Sequence, residues 1–258
     1  MDLCRYQTVV MDWGIGGLSV YREIKRLGPR RNIVYFSDSS ATPYGKMKPA
    51  ELKARVAQVC DHFVQQGIRE VVIACNAAST VATRLRAHYE SSGVRIIDVI
   101  STGIKLVESS SFRRVGVIGG RRTILSRIYQ KALTTPQRKI IGRIAQPLSA
   151  LIERGELETR LMQETLKPIL APLHGCDAVL LACTHYPAIQ KQIQLLLPRC
   201  EILDPATITA RESLKLDTRY RQTGAPELFL TTGNPVQSRR SGYLAFGAKV
   251  QRFIRIAL

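Results

Sequence analysis

Long hydrophobic runs and closely paired cysteines are both missing from this 258-residue sequence. Its apolar stretches hold roughly four to eight residues, whereas about 20 are needed to cross a bilayer, so we predict no membrane association. The first residues lack the basic-then-apolar order of a signal peptide, which predicts a cytoplasmic protein. The six cysteines contain no C-x-x-C pair, which argues against a disulfide scaffold.

Acidic residues are also scarce. Asp and Glu together number 20 against 38 Lys and Arg, and the net charge of +18 implies attraction to nucleic acid, an acidic surface or a small carboxylate. The basic residues form scattered pairs rather than one stripe, and no helix-turn-helix, zinc finger or aromatic-rich strand accompanies them. A nucleic-acid partner is therefore a hypothesis that rests on charge alone.

Short apolar runs alternate with amphipathic segments, which is typical of an α/β fold. The predicted strands are TVVMD, NIVYFSD, EVVIACN, VRIIDVI, RVGVIGG, RKIIGRIA, AVLLACT, CEILDP and ELFLTT. The predicted helices include LSVYREIKRL, ELKARVAQVCDHFVQQG, RTILSRIYQKAL, LIERGELETRLMQETL and AIQKQIQLLL. Strands such as VVIAC and AVLLAC are apolar on both faces, which favours mainly parallel sheets with ligands at their carboxyl ends.

The chain contains an internal repeat. EVVIAC ends at Cys75 and AVLLAC ends at Cys183, an offset of 108 residues (183 minus 75). The same offset carries the first strand and its Gly-rich turn at Asp12 onto VGVIGG at Gly120. We therefore predict two similar α/β domains, residues 1–99 with 209–258 and residues 100–208, with the active site in the cleft between them.

Each of the two cysteines closes an apolar strand and is followed at once by polar residues. A free thiol is usually a small buried hydrophobe, which is our interpretation of Cys4, Cys60, Cys176 and Cys200. Matched positions in a repeat favour a functional role for Cys75 and Cys183. At a strand-to-helix turn, the N–H groups of a helix N-terminus bind carboxylates and lower a thiol pKa, so we expect acidified thiols.

Two facing thiols suit the inversion of a stereocentre. This reaction needs one base on each face of the same carbon, in opposite protonation states. A thiol and a thiolate about 7 Å apart, with a substrate Cα held between them, would supply both. The competing zinc site would use Cys75, Cys183 and His185, but these lack the usual paired spacing.

A nucleotide-binding dehydrogenase is a second alternative. Gly14-x-Gly16 follows the first strand and Asp38 closes the second, which superficially imitates the dinucleotide motif. However, Ser19 stands at the third glycine position, and Asp12-Trp13 would crowd the turn where pyrophosphate lies. Gly14, Gly16 and Gly17 are more simply the tight turn between the first strand and its helix.

Four segments resemble motifs of the glutamate racemases within the aspartate/glutamate racemase superfamily. MDWGIGGLSV resembles D-S-G-x-G-G-L, VYFSDSSATPYG resembles G-D-x-x-x-x-P-Y-G, ACNAAST resembles C-N-T-A-S, and ACTHYPAI resembles G-C-T-H-Y-P-L. Weaker similarities occur in VGVIGGRRTILSRIY, LSALIERG and LFLTTGNP, so that the resemblance runs nearly end to end. It implies a racemase of an acidic amino acid that works without cofactor or metal and usually forms a homodimer.

The resemblance also implies a role for each matching residue. Cys75 would take the proton from the D-isomer and Cys183 from the L-isomer, with Asp12 and His185 holding the α-ammonium near their respective thiols. Glu153 would act with His185. The remaining substrate-binding positions are Asn76 and Thr184 at the α-carboxylate, Pro43, Tyr44 and Gly45 at the distal carboxylate, and Trp13, Asp38, Ala77 and Thr123 elsewhere in the pocket.

Three departures from the family pattern affect specificity. Trp13 replaces a serine, Ala77 replaces a threonine, and Ser37 replaces a glycine. Two hydrogen-bond donors are thereby lost and a large ring is added, so aspartate is an alternative substrate to glutamate. Because some family members are reported to inhibit DNA gyrase, the charge of +18 also leaves open an interaction with gyrase or nucleic acid, with weak or lost racemase activity.

Overall fold

The computed structural model describes residue 3, residues 5–215 and residues 226–258, so Cys4 lies outside the described residues. The strands are β1 Thr8–Asp12, β2 Ile33–Ser37, β3 Glu70–Ile73, β4 Arg95–Asp98, β5 Arg114–Gly119, β6 Lys139–Ile144, β7 Ala178–Ala182, β8 Glu201–Leu203, β9 Leu228–Thr231 and β10 Ile254–Arg255. The α-helices are α1 Leu18–Leu27, α2 Pro49–Gln65, α3 Asn76–Ser91, α4 Val99–Glu108, α5 Arg121–Ser126, α6 Ile128–Leu133, α7 Gln146–Glu153, α8 Arg160–Leu170, α9 Gln190–Leu196, α10 Ala206–Leu214 and α11 Pro235–Phe246. Short 3-10 helices cover Ala171–Leu173 and Tyr186–Ile189.

The strands form two parallel sheets, which confirms the predicted fold class. One sheet has the order β10-β9-β2-β1-β3-β4 and the other has the order β6-β5-β7-β8. The order β2-β1-β3-β4 in the first sheet corresponds to β6-β5-β7-β8 in the second, and every strand pair is parallel. The repeat in the sequence is thus a repeat of sheet topology. It places the strands before Cys75 and Cys183 at equivalent positions, each beside the first strand of its half.

The central strands are buried on both faces, as expected for parallel strands covered by helices. Val10 of β1 packs into a core that also contains Ile118 of β5 and Leu181 of β7. The alternate residues Val9 and Met11 belong to a second core on the opposite face. Because the first of these cores contains residues of both sheets, apolar packing holds the two halves together.

Two predicted helices are interrupted in the structure. The stretch 151–166 divides after Glu153, where Gly155 adopts φ +78° and Thr159 caps α8 by accepting a hydrogen bond from the Met162 N–H at 3.2 Å. The stretch 122–133 divides at Arg127, which has φ +56°. The predicted strand VRIIDVI is also too long, because the Asp98 carboxylate accepts from the Ser101 N–H at 2.9 Å and starts α4.

Candidate active site

Both cysteines lie just beyond the carboxyl ends of central strands. Cys75 follows β3 and is the N-cap residue of α3, as the sequence predicted. Cys183 follows β7, but a bend and a 3-10 helix from Tyr186 come next rather than an α-helix. Parallel topology brings these two strand ends, together with the ends of β1 and β5, to the interface between the sheets.

A cavity of about 710 Å³ lies at this interface and is lined by residues from both sheets. Its volume is in the range of ligand pockets. The predicted site residues that line it are Asp12, Trp13, Pro43, Tyr44, Gly45, Cys75, Asn76, Ala77, Thr123, Glu153, Cys183, Thr184 and His185. The structure therefore brings together residues that are up to 173 positions apart in the chain (185 minus 12).

Cys75 has a carboxylate as its neighbour. Burial and the Asp12 carboxylate, with which the thiol forms a hydrogen bond, raise the pKa of Cys75 well above its usual range, although a backbone hydrogen bond with Ala78 lowers it. The expectation of an acidified thiol is therefore wrong for Cys75, because one helix N-terminus is weaker than burial plus an adjacent anion. Cys75 is a protonated thiol.

Asp12 connects the two halves of the site. Its carboxylate accepts hydrogen bonds from the Thr184 hydroxyl at 2.8 Å and from the Trp13 N–H at 2.7 Å. The Asp12 side chain is fully buried, so that each of these charge-assisted hydrogen bonds offsets a substantial cost of desolvation. Thr184 directly follows Cys183, so Asp12 links the surroundings of one thiol to the backbone that carries the other.

Cys183 has a cation as its neighbour. Its Sγ lies 3.7 Å from His185 Nδ1, and His185 Nε2 lies 2.8 Å from Glu153 Oε1. Burial lowers the pKa of His185, but the hydrogen bonds and charges of Cys183 and Glu153 outweigh it and raise this pKa well above its usual range. For Glu153, burial raises the pKa, but the bond with His185 prevails and the pKa is lowered. The pair is therefore an imidazolium and a carboxylate.

Two neighbouring segments hold Glu153, one through its side-chain carboxylate and the other through its backbone carbonyl. Oε1 of Glu153 accepts from the Ile15 N–H at 3.3 Å, and the Glu153 carbonyl accepts from the Ser241 hydroxyl of α11 at 2.7 Å. A Cβ added to Gly14 would lie 2.6 Å from Glu153 Oε1. The turn that a dinucleotide motif would use thus packs against the second half of the site.

Asp38, which was predicted to bind substrate, is not among the residues that line the cavity. Its fully buried carboxylate accepts from Tyr44 Oη at 2.7 Å, from Thr232 Oγ1 at 3.0 Å and from two nitrogens of Arg55 at 2.6 and 2.7 Å. These partners already neutralise and surround the carboxylate. Asp38 instead fixes Tyr44, which does line the cavity.

The three departures from the family pattern lie close to the cavity. Trp13, Ser37 and Ala77 all line it, and the Ser37 hydroxyl donates to the Trp13 carbonyl at 3.4 Å. The indole N–H of Trp13 donates to the Ala41 carbonyl at 2.9 Å, and the ring packs partly against the core of the first sheet. The Trp13 ring does not close the cavity, which has a volume of about 710 Å³.

A hydrogen bond from helix α6 fixes the amide of Asn76 at the cavity. Its Oδ1 accepts from Tyr129 Oη at 3.0 Å, which fixes the orientation of the amide. Among the described residues, the Asn76 Nδ2 group has no partner and it remains available as a donor in the cavity. A donor of this kind suits a carboxylate.

Several lining residues were missed from the sequence. Ser149 of α7 places its hydroxyl 3.6 Å from Cys183 Sγ. The others include Lys46, Arg121 and Arg122, together with Asn234, Gln237, Ser238 and Ser241 of the α11 region. The offset of 108 that relates the two cysteines also relates Trp13 and Gly14 to Arg121 and Arg122, so the repeat could have located the arginines.

Neither a metal cluster nor a membrane helix is found in the part of the chain that the structure describes. No group of three or more His, Cys, Asp or Glu side chains there is placed to hold a metal ion. No described helix combines the length and the apolar character that a membrane span requires.

The chain belongs to the Asp/Glu/hydantoin racemase family, whose model matches residues 9–213. Glutamate racemase of Mycobacterium ulcerans is 35% identical over 260 residues, covering 96% of this chain and 92% of that protein. Glutamate racemase of Persephonella marina is 32% identical over 231 residues, covering 88% of each. The crystal structure of glutamate racemase from Francisella tularensis in complex with D-glutamate has a TM-score of 0.87 and 26% identity, covering 99% of this chain and 98% of that one.

The predicted resemblance to glutamate racemases is thereby confirmed, and with it the prediction of an amino acid racemase. Similarity to the aspartate racemases is more distant. The aspartate racemase of Picrophilus torridus has 16% identity and a TM-score of 0.61 over 85% of this chain, which shows a shared fold alone.

Proposed function

We propose that this protein interconverts L- and D-glutamate, with Cys75 and Cys183 as the two bases and without a cofactor. One observation carries the proposal. The two thiols line one cavity, with a carboxylate beside Cys75 and an imidazolium beside Cys183. An anion beside one thiol and a cation beside the other suit the two opposite proton transfers of a two-base reaction, in which one sulfur donates a proton and the other accepts one.

The reaction starts on the face of the Cys183 thiolate. This sulfur takes the Cα proton of L-glutamate, and the electron pair of the broken C–H bond delocalises into the α-carboxylate. Cys75 then delivers its S–H proton to the opposite face of Cα, which yields D-glutamate. Cys75 is left as a thiolate and Cys183 as a thiol, the states required for the reverse reaction.

The residues around the thiols lower the cost of the carbanion. We assign the α-carboxylate to the Asn76 amide and to Thr184, because donors there stabilise the charge that develops. Asp12 holds the ammonium and assists the proton transfer at Cys75, whereas His185, which Glu153 keeps protonated, assists the proton transfer at Cys183. The distal carboxylate meets Pro43, Tyr44 and Gly45, while Trp13, Ala77 and Thr123 form the remaining walls.

Glutamate is proposed over aspartate on two grounds. The Francisella relative binds D-glutamate, and it covers nearly the whole of this chain. In addition, the Trp13 ring is held by Ala41 and leaves a cavity of about 710 Å³. A racemisation assay that compares glutamate with aspartate, without added cofactor, decides between them: a higher kcat/KM for aspartate would refute the preference.

The two-base scheme is tested with Cys75→Ser and Cys183→Ser. Each variant is expected to lose racemisation by about 10³-fold or more, together with solvent-deuterium incorporation at Cα, because each face of Cα has one proton carrier. Cys60→Ala is the matched control, because it alters a buried thiol of helix α2 that does not line the cavity, and this variant should keep its activity. Racemisation that persists in either serine variant would refute the scheme.

We also propose that residues 1–99 with 209–258 and residues 100–208 form separate domains, and that the protein is a homodimer. The return of β9 and β10 to the first sheet supports the domain boundaries. Light scattering of the purified protein tests the dimer, and a monomeric mass over the working concentration range would refute it.

A further inference from the structure

Three cationic side chains of the cavity are not accounted for by the proton transfers. Lys46, Arg121 and Arg122 line it, and none of them forms an ion pair with a described residue. The acidic groups of the cavity already have partners, since Glu153 binds His185 and Asp12 binds Cys75 and Thr184. The cavity therefore has unused positive charge that an anionic ligand would neutralise.

Arg122 differs from the other two cations. Lys46 and Arg121 are exposed, whereas Arg122 is half-buried and its Nε donates to the Tyr44 carbonyl at 3.0 Å. Arg122 lies in the first turn of the helix after β5 of one sheet, and Tyr44 follows β2 of the other, so this bond spans the interface. Burial lowers the pKa of Arg122, and no described carboxylate forms an ion pair with its guanidinium.

The remaining edge of the guanidinium suits a carboxylate. With Nε bound to Tyr44, Nη1 and Nη2 have no partner among the described residues. These two nitrogens form a planar fork that binds both oxygens of a carboxylate. Tyr44 belongs to the segment assigned to the distal carboxylate, and its contact holds the fork beside that segment.

We propose that Arg122 binds the side-chain carboxylate of the substrate and is the residue that selects acidic amino acids. This inference rests on the proposed function. Glutamate brings two carboxylates and one ammonium into the site. Asp12 pairs with the ammonium and Asn76 with the α-carboxylate, so the second carboxylate requires a cation. Of the three cavity cations described above, Arg122 is the half-buried one.

The test compares Arg122→Gln, Arg122→Lys and Arg121→Gln. Arg122→Gln is expected to raise the KM for glutamate by about 10- to 100-fold while kcat changes by less than about threefold, because a charge-assisted contact shared by ground and transition states is lost. Arg122→Lys should be intermediate, since lysine keeps the charge but not the fork. Arg121→Gln removes the same charge from an exposed position and should change KM by less than about threefold.

Calorimetric titration with D-glutamate provides a readout that does not depend on turnover. Its Kd should rise in Arg122→Gln by the same factor as KM. An unchanged KM and Kd, a loss confined to kcat, or an equal effect of Arg121→Gln would each refute the role of Arg122. A wild-type protein that binds D-glutamate through Arg122 but does not racemise it would instead refute the proposed function alone.

Discussion

At the scale of single residues, the two thiols are chemically alike but have opposite electrostatic neighbours. Burial and Asp12 raise the pKa of Cys75, while His185 presents a positive charge to Cys183. The electrostatic effect of each neighbour on its thiol is strong because few water molecules screen charges in a buried site. Side-chain neighbours, rather than the backbone at the strand ends, therefore distinguish the surroundings of the two thiols.

Glu153 should control how far His185 stays protonated as the pH rises. Burial lowers the pKa of His185, and the bonds to Cys183 and Glu153 reverse that effect. Glu153→Gln removes one anion, so the pKa of His185 falls and the imidazolium is lost at a lower pH. We expect kcat/KM to fall by about 10²-fold and the alkaline limb of the pH–rate profile to move to lower pH.

The measurement is the pH dependence of the initial racemisation rate, followed by circular dichroism. Glu158→Gln, at an exposed position five residues further along the chain, is the matched control and should leave the profile in place. A slower Glu153→Gln enzyme with an unshifted alkaline limb would show that Glu153 does not act through His185.

At the scale of elements, the turn between β1 and α1 packs directly against His185. A Cβ on Gly16 would lie 2.6 Å from His185 Nδ1 and from Thr184 Oγ1. The close contact, rather than an unusual backbone angle, requires glycine here, because no positive φ is found at this position. The turn thus brings β1 of the first sheet against the residues that follow β7 of the second.

Gly16→Ala should therefore impair catalysis more than folding. The methyl group must displace His185 or Thr184, and a displacement of about 1 Å costs on the order of 10²-fold in rate. Gly67→Ala is a control in which backbone strain, not a close contact, is introduced, because Gly67 has φ +96° and no heavy atom lies within 4 Å of an added Cβ. This substitution should lower the free energy of unfolding by about 1 kcal/mol and leave kcat unchanged. Thermal unfolding and kcat are measured for both, and a fully active Gly16→Ala would contradict the prediction.

At the scale of the whole molecule, a net charge of +18 on a protein with an acidic substrate raises the question of a second partner. Because the basic pairs are scattered, we expect only weak, non-specific binding to double-stranded DNA. Such binding should be lost by about 0.2 M salt, since it depends on the release of condensed counterions. Gel-shift titrations at increasing salt test this, and a complex that survives about 0.2 M salt would indicate a dedicated nucleic-acid partner.

The repeat made much of the architecture predictable from the sequence. Its offset of 108 residues anticipated that Cys75 and Cys183 follow equivalent strands, and the strand order of the two sheets agrees. Helix boundaries were harder to predict, because Gly155 and Arg127 end helices by local backbone conformation within segments whose apolar periodicity continues. The position of the Asp38 carboxylate behind Tyr44 was not predictable, because a motif identifies a residue without showing which way its side chain points.

The sequence alone determined the α/β class, the family, and the two cysteines with their histidine, because these depend on local periodicity and on residue types at defined spacings. The tertiary structure alone decided which charged side chain lies beside each thiol, the burial of Asp38 behind Tyr44, and the approach of Ser149 and Arg122 to the cavity. These features depend on distances of about 3 to 4 Å between segments far apart in the chain. No local pattern in the sequence encodes such distances, and they are set only when the two sheets pack together.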